Sequence, residues 1–245
     1  MPDRLDHLAL FERAAADLTA ALADTDPLAQ VPACPGWTVQ DLALHVGTGD
    51  RWAASVLLSG RQQLRPDAVL RTARLPDWYA GTSAALAAAI RAVDPGEPCW
   101  NFAPVEQVAG FWSRRRLHET EIHLVDLVQA AGGERLPNAE VAADGVAEMF
   151  EVILPRTLER GFVPTVSAPL VVRASDTGDV WMLTPGATEG AAPEVARTAG
   201  PGEAVISGTA ADLYLSLWKR AGSDGLRIEG DAKVAATFLE ARLTP

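Results

Sequence analysis

The stretch Phe111-Trp112-Ser113-Arg114-Arg115-Arg116-Leu117-His118-Glu119-Thr120-Glu121-Ile122-His123-Leu124-Val125-Asp126 decides how the first half of the chain is read. Glu119 stands four residues before His123, so in a helix a carboxylate and an imidazole lie one turn apart on one face. Helix bundles build metal sites from such pairs on facing helices. His118-Glu119 with His123 resembles the zinc-protease pattern His-Glu-x-x-His, but the histidines here are five residues apart rather than four. That spacing rotates them onto different faces and removes the protease reading. The usable pair is Glu119 with His123, and it needs a third ligand from another segment.

His45 is the candidate. Thr38 with Asp41 three residues on forms a capping-box pattern, which predicts a helix over 39–58 that Gly60 ends. Its apolar positions include Leu42, Val46, Trp52, Val56 and Leu57, and His45 lies near that stripe. His45, Glu119 and His123 together would form a His/His/Glu set with open positions, suited to Zn²⁺ or a similar divalent ion. A structural reading uses the same residues: His45 as a core histidine, Glu119 paired with Arg115 or Arg116 one turn back. Asp126 either accepts the second N–H of a ligand imidazole or is a solvated helix residue. Arg115 and Arg116 are candidates to pair with a carboxylate substrate or to serve as salt-bridged surface charges. Trp112 is a core or pocket-wall aromatic.

Outward from this pair, apolar residues at helical spacing predict further helices over 4–24, 77–93 and 105–131. His7, on the first of them, is a weak candidate for a fourth ligand. Segment 31–37, with Pro32, Cys34, Pro35 and Gly36, reads as an extended loop, and 61–76 as a polar one. Four helices joined by irregular loops suggest a bundle. Gly132-Gly133 through Asn138 breaks the pattern and marks a domain boundary, giving domains 1–135 and 138–245. The second half reads as one helix over 139–160, strands near 169–174, 180–183, 203–206 and 226–229, and helices over 209–220 and 231–242. This is an α+β layer.

The 245 residues carry a net charge of −11, which argues against a nucleic-acid or anionic-membrane surface. No stretch approaches the ~20 apolar residues that span a bilayer, and residues 1–6 lack a signal-peptide core, so a cytoplasmic protein is expected. Cys34 and Cys99 are the only cysteines, too few for a disulfide framework or a Cys-rich zinc site. Gly47-Thr48-Gly49 lacks the third glycine of a dinucleotide fingerprint and follows a helix rather than a strand.

Pro32-Ala33-Cys34-Pro35-Gly36-Trp37-Thr38 through His45, Cys99-Trp100-Asn101-Phe102, and Phe111 through His123 closely resemble the mycothiol-dependent maleylpyruvate isomerase family. The resemblance implies a DinB-like metal-binding four-helix bundle followed by a smaller sterol-carrier-like α+β domain. Ile206 through Leu213 and Ile228-Glu229-Gly230-Asp231 are the similar pieces of the latter. The family's ligand set falls on His45, Glu119 and His123, and its active-site arginine is matched here to Arg220. Expected with it are a divalent metal, mycothiol as thiol cosubstrate, a small electrophilic substrate, and a monomer or small homo-oligomer. The implied chemistry is cis–trans isomerisation or S-transfer. A metal-dependent hydrolase and a non-catalytic metal-binding or regulatory module are the alternatives.

Overall fold

The computed structural model describes all residues except 1–4, 69–73, 160, 163–165, 189–190, 192 and 245. Residues 4 and 160 of the expected helices, residues 1–4 of the N-terminus and 69–73 of the expected loop therefore lie outside the described residues. The chain divides into two compact units, one of Met1–Asn101 and Glu106–Arg135, the other of Phe102–Val105 and Leu136–Pro245.

The first unit is a bundle of α1 (His7–Asp24), α2 (Val39–Ser59), α3 (Leu75–Ala92) and α4 (Gly110–Ala130). Helix α1 packs on α3 and α4, and α2 on the same two. Phe11, Leu18, Leu42, Leu86, Leu117, Ile122 and Leu124 are fully buried between them. Helix α2 begins with the expected capping box: the Thr38 hydroxyl accepts from Asp41 N–H at 3.2 Å, and Asp41 accepts from Thr38 N–H at 2.9 Å. These bonds hold the Asp41 carboxyl below its ordinary pKa. Gly60 closes α2 in the left-handed region at φ 68°.

The glycines of α2 set how close its neighbours come. A Cβ on Gly47 would meet the Trp78 ring at 2.5 Å, and one on Gly49 would meet Arg116 Nη1 at 2.6 Å. The Gly-Thr-Gly run is thus a packing device against α3 and α4.

Two helix starts differ from expectation. Helix α3 begins two residues early because Pro76 is accommodated in its first turn. Helix α4 begins five residues late because 97–109 folds back on itself: Cys99 N–H donates to Gln107 O, Ala109 N–H to Glu97 O, and Asn101 clasps Glu106 and Gln107.

The second unit holds α5 (Ala139–Glu148), a π-turn at Met149–Ile153, α6 (Leu154–Glu159), α7 (Ala210–Leu217) and α8 (Ala232–Glu240) around one sheet. The five strands are β1 (Leu170–Ala174), β2 (Val180–Thr184), β3 (Glu194–Ala196), β4 (Ala204–Gly208) and β5 (Arg227–Gly230), ordered β3-β2-β1-β4-β5. Only β1 and β4 run parallel, with Val172 opposite Ile206. Helices α7 and α8 pack on β4, and α5 on α7. Phe150 bridges Trp181 and Phe238 in this core. Strand β3 escaped the sequence reading because it has three residues, two of them exposed, and so carries no alternation to detect. Among the described residues no helix is long and apolar enough to cross a membrane.

Candidate metal centre

Helix α4 is polar in sequence yet buried. Arg115, Arg116, His118, Thr120, Glu121, His123 and Asp126 all lie inside the bundle. Burying that many polar groups is unfavourable unless they are paired, and the pairing of Arg115, Arg116, His123 and Asp126 builds the site.

Glu119 sits at its centre. Its Oε1 lies 3.0 Å from His45 Nε2 and 3.6 Å from His123 Nε2. Its Oε2 accepts from Arg115 Nη2 at 2.8 Å. The salt-bridge reading of Glu119 holds at Oε2, while Oε1 faces the two imidazoles. Burial opposes ionisation of Glu119, but the two imidazoles and Arg115 and Arg116 outweigh it and hold its pKa well below the ordinary value.

Arg116 acts from further back. Its Nε donates to Asp50 at 2.9 Å, its Nη2 to Val46 O at 3.0 Å, and its Nη1 lies 4.0 Å from Glu119 Oε1. Asp50 is completely buried, and burial pushes its pKa up to about 6 against the pull of Arg116. Its Oδ2 is buried without a hydrogen-bond partner, while the Tyr79 hydroxyl and Thr120 face each other, so the polar layer behind the site is incompletely matched at Asp50.

The two histidines differ on their far sides. His123 Nδ1 lies 2.9 Å from Asp126 Oδ2, and Asp126 is fully buried. A carboxylate there accepts the Nδ1 proton and turns the Nε2 lone pair toward Glu119. Burial disfavours the charged ring, but Asp126 and Glu119 outweigh it and the His123 pKa rises. His45 Nδ1 instead faces a cation: Arg65 Nη2 lies 3.5 Å from it and donates to the His45 carbonyl at 2.9 Å. Burial lowers the His45 pKa, with Arg65 and His123 adding to the effect and Glu119 opposing it.

Three contributors were missed at the sequence level: Asp50 on α2, and two residues from loops. Trp37 covers the histidines, with ring centroids 4.8 Å from His45 and 6.3 Å from His123. Arg65 is presented by a fastened loop in which Trp52 Nε1 donates to Gln63 O at 2.7 Å and Gln63 Nε2 to Ser59 Oγ at 3.0 Å. Pro-Gly-Trp ahead of the His45 helix is a signal for Trp37; nothing local distinguishes Arg65 from any loop arginine.

The donors fit a cation. His45 Nε2, Glu119 Oε1 and His123 Nε2 all lie within 4.8 Å of one another. Ligands about 2.0–2.1 Å from tetrahedral zinc stand roughly 3.3 Å apart, between the observed 3.0 and 3.6 Å. The side chains of His45 and Glu119 are 28% and 20% exposed against 9% for His123, so the set opens on the His45–Glu119 side.

Trp112 and His7 are not members of this group, and Arg220 lies in the other unit. Trp112 is buried in an aromatic cluster with Trp52 and Trp100, its indole N–H donating to Trp100 O at 3.0 Å. Arg220 belongs to the second unit, where its Nη1 donates to Trp218 O at 2.7 Å. His7 starts α1 and is not a member of the donor group.

The comparisons with known proteins agree with this architecture. The family model described as "Mycothiol maleylpyruvate isomerase N-terminal domain" matches residues 8–128, and the one described as "MDMPI C-terminal domain" matches residues 140–237. The chain belongs to the mycothiol-dependent maleylpyruvate isomerase family. The fold is similar to the crystal structure of the mycothiol-dependent maleylpyruvate isomerase, with TM-score 0.64 and 19% identity over 98% of this chain and 95% of that one. A histidine-to-alanine mutant of the same isomerase gives TM-score 0.61 at 18% identity, with the same coverage. No curated protein matches the sequence. Members of this family are therefore the frame within which the His45–Glu119–His123 group is interpreted.

Proposed function

We propose that the chain is a metal- and mycothiol-dependent enzyme of the isomerase or S-transferase type, its cation held by His45, Glu119 and His123. The observation that carries this reading is the single Glu119 oxygen facing the Nε2 atoms of two imidazoles, inside a chain of this family. Zinc suits the nitrogen and oxygen donors, and a divalent cation in such a site keeps a thiol ionised near neutral pH.

The chain's own residues supply the rest. Arg115 fixes the second oxygen of Glu119, and Asp50 holds Arg116 behind it, so Glu119 keeps one orientation. Arg115 and Arg116 thereby act through Glu119. Asp126 orients the His123 ring. Trp37 walls the site and limits water on that side. Arg65, with one nitrogen held by the His45 carbonyl, is the guanidinium placed to receive a carboxylate of an anionic electrophile. The family resemblance offers Arg220 as its active-site arginine, and Trp112 packs on Trp52, whose indole N–H holds the loop that carries Arg65. Reversible addition of the mycothiol thiol to an activated double bond allows rotation about the resulting single bond. Elimination then returns the isomer.

The test has two arms. Metal analysis of protein purified without added zinc is expected to find about one divalent ion per chain. Electrophile consumption, followed with and without mycothiol, is expected to require the thiol. Equal rates in the two assays defeat the thiol step and favour a hydrolase that uses water; absence of stoichiometric metal defeats the reading as a whole.

A further inference from the structure

The geometry points to a second seat for a cation, formed by Cys34 Sγ, His123 Nδ1 and Asp126 Oδ2 on the far side of the His123 ring. These three donors lie within 4.8 Å of one another. Asp126 Oδ2 stands 2.9 Å from His123 Nδ1 and 3.7 Å from Cys34 Sγ. Around tetrahedral zinc, with Zn–S about 2.3 Å and Zn–N or Zn–O about 2.0–2.1 Å, neighbouring donors stand roughly 3.3–3.5 Å apart. The two Asp126 separations bracket that range, as the two Glu119 separations do in the first group, and the second group differs in chemistry. A thiolate, a carboxylate and an imidazole favour a thiophilic divalent ion such as Zn²⁺ or Cd²⁺ over Mg²⁺ or Ca²⁺.

The loop that supplies Cys34 is held in place. Val31 N–H donates to Trp37 O, Cys34 N–H to Val31 O and Trp37 N–H to Cys34 O, and Gly36 makes the turn at φ 84°. Cys34 is half-buried, whereas His123 and Asp126 are buried. A cation therefore has an approach on the cysteine side.

One imidazole serves both groups, through Nε2 in one and Nδ1 in the other. With a neutral ring, only one nitrogen carries a free lone pair at a time. When the Cys34 seat fills, the ring proton moves from Nδ1 to Nε2, where Glu119 accepts it, and the thiol proton leaves to solvent. The two seats then exclude each other. Where the first seat is the working one, as in the function proposed above, a soft cation in excess inactivates the protein while the metal count stays at one per chain.

The experiment is a Co²⁺ titration of metal-free wild type, His45→Ala and the double variant His45→Ala/Cys34→Ala, read by thiolate-to-cobalt charge-transfer absorption. His45→Ala is expected to bind one Co²⁺ with a thiolate band, and the double variant to lose that band. A His45→Ala protein without the band at saturating Co²⁺ overturns the second seat and leaves the first untouched. Conversely, a band in His45→Ala with no cation at the first seat in wild type supports the second seat and defeats the metal reading proposed above. A further measurement on unaltered protein avoids folding effects. Cd²⁺, but not Mg²⁺, is expected to slow alkylation of Cys34, followed by peptide mass; equal protection or none by the two ions counts against the seat.

Discussion

The α2 side and the α4 side of the site present the same ring nitrogen to the same carboxylate oxygen, yet their far sides are built in opposite ways. Behind His123 stands a buried carboxylate, Asp126; behind His45 stands a guanidinium, Arg65. An anion behind a ligand imidazole raises its basicity and fixes its tautomer. A cation does the reverse. Under the proposed metal reading, this difference would make His123 the anchor and His45 the more weakly held ligand, on the more exposed side.

The sharpest way to break this asymmetry is to remove each ring in turn. His123→Ala takes away a donor from both groups and is expected to abolish stoichiometric divalent metal. Its loss of affinity should exceed the about 10–100-fold typical of losing an outer partner. His45→Ala is expected to retain a cation through Cys34. Metal analysis after gel filtration reads both, and equal loss in the two variants contradicts the ranking.

Asp126→Asn comes next. The amide keeps the size of the carboxylate but not its charge, and metal affinity measured by competition with a chelator is expected to fall about 10–100-fold. An unchanged affinity would mean that Asp126 does not orient the ring.

Acid titration of chelator-treated protein probes the asymmetry without a metal. His123 has a folded pKa above 6.5, so its contribution to stability is present below the unfolded value and is lost as pH rises through the folded one. His45 has a folded pKa below 6.5, so its contribution is present above the unfolded value and is lost as pH falls through the folded one. Thermal melts from pH 8 to 5 should therefore diverge. His123→Ala is expected to lose ground to wild type on acidification, and His45→Ala to gain it. Parallel curves would show that the two rings share one environment.

How far this site was legible in the sequence follows from where its parts come from. Glu119 and His123 are one helical turn apart, and His45 lies in a helix announced by Thr38 and Asp41, so local periodicity was enough to select them. The bundle and the strands 170–174, 180–184 and 204–208 were visible for the same reason, since each carries a pattern over several residues. Arg116 was ambiguous because its partner Asp50 lies 66 residues away, and only the packing of α2 on α4 makes it an inward residue. The burial of α4 was hidden by its own polarity. Its charges are compensated by other helices and loops, which no window along the chain can register. Trp37 and Arg65 reach the histidines from loops, where side-chain direction has no period to read.

The smallest effect expected is at Arg65, and its direction is its value. A unit charge about 4 Å away contributes about 1 kcal/mol in bulk water, and exposure to solvent and salt reduces it further. Arg65→Met removes a cation from behind His45 and should strengthen metal binding by no more than about fivefold, opposite in sign to Asp126→Asn. The same change withdraws the group placed to receive a substrate carboxylate, so KM for an anionic electrophile should rise while kcat holds. Tighter metal with a higher KM separates the two roles of this arginine. If metal binding weakens instead, Arg65 supports His45 through the backbone carbonyl it holds, and the asymmetry rests on Asp126 alone.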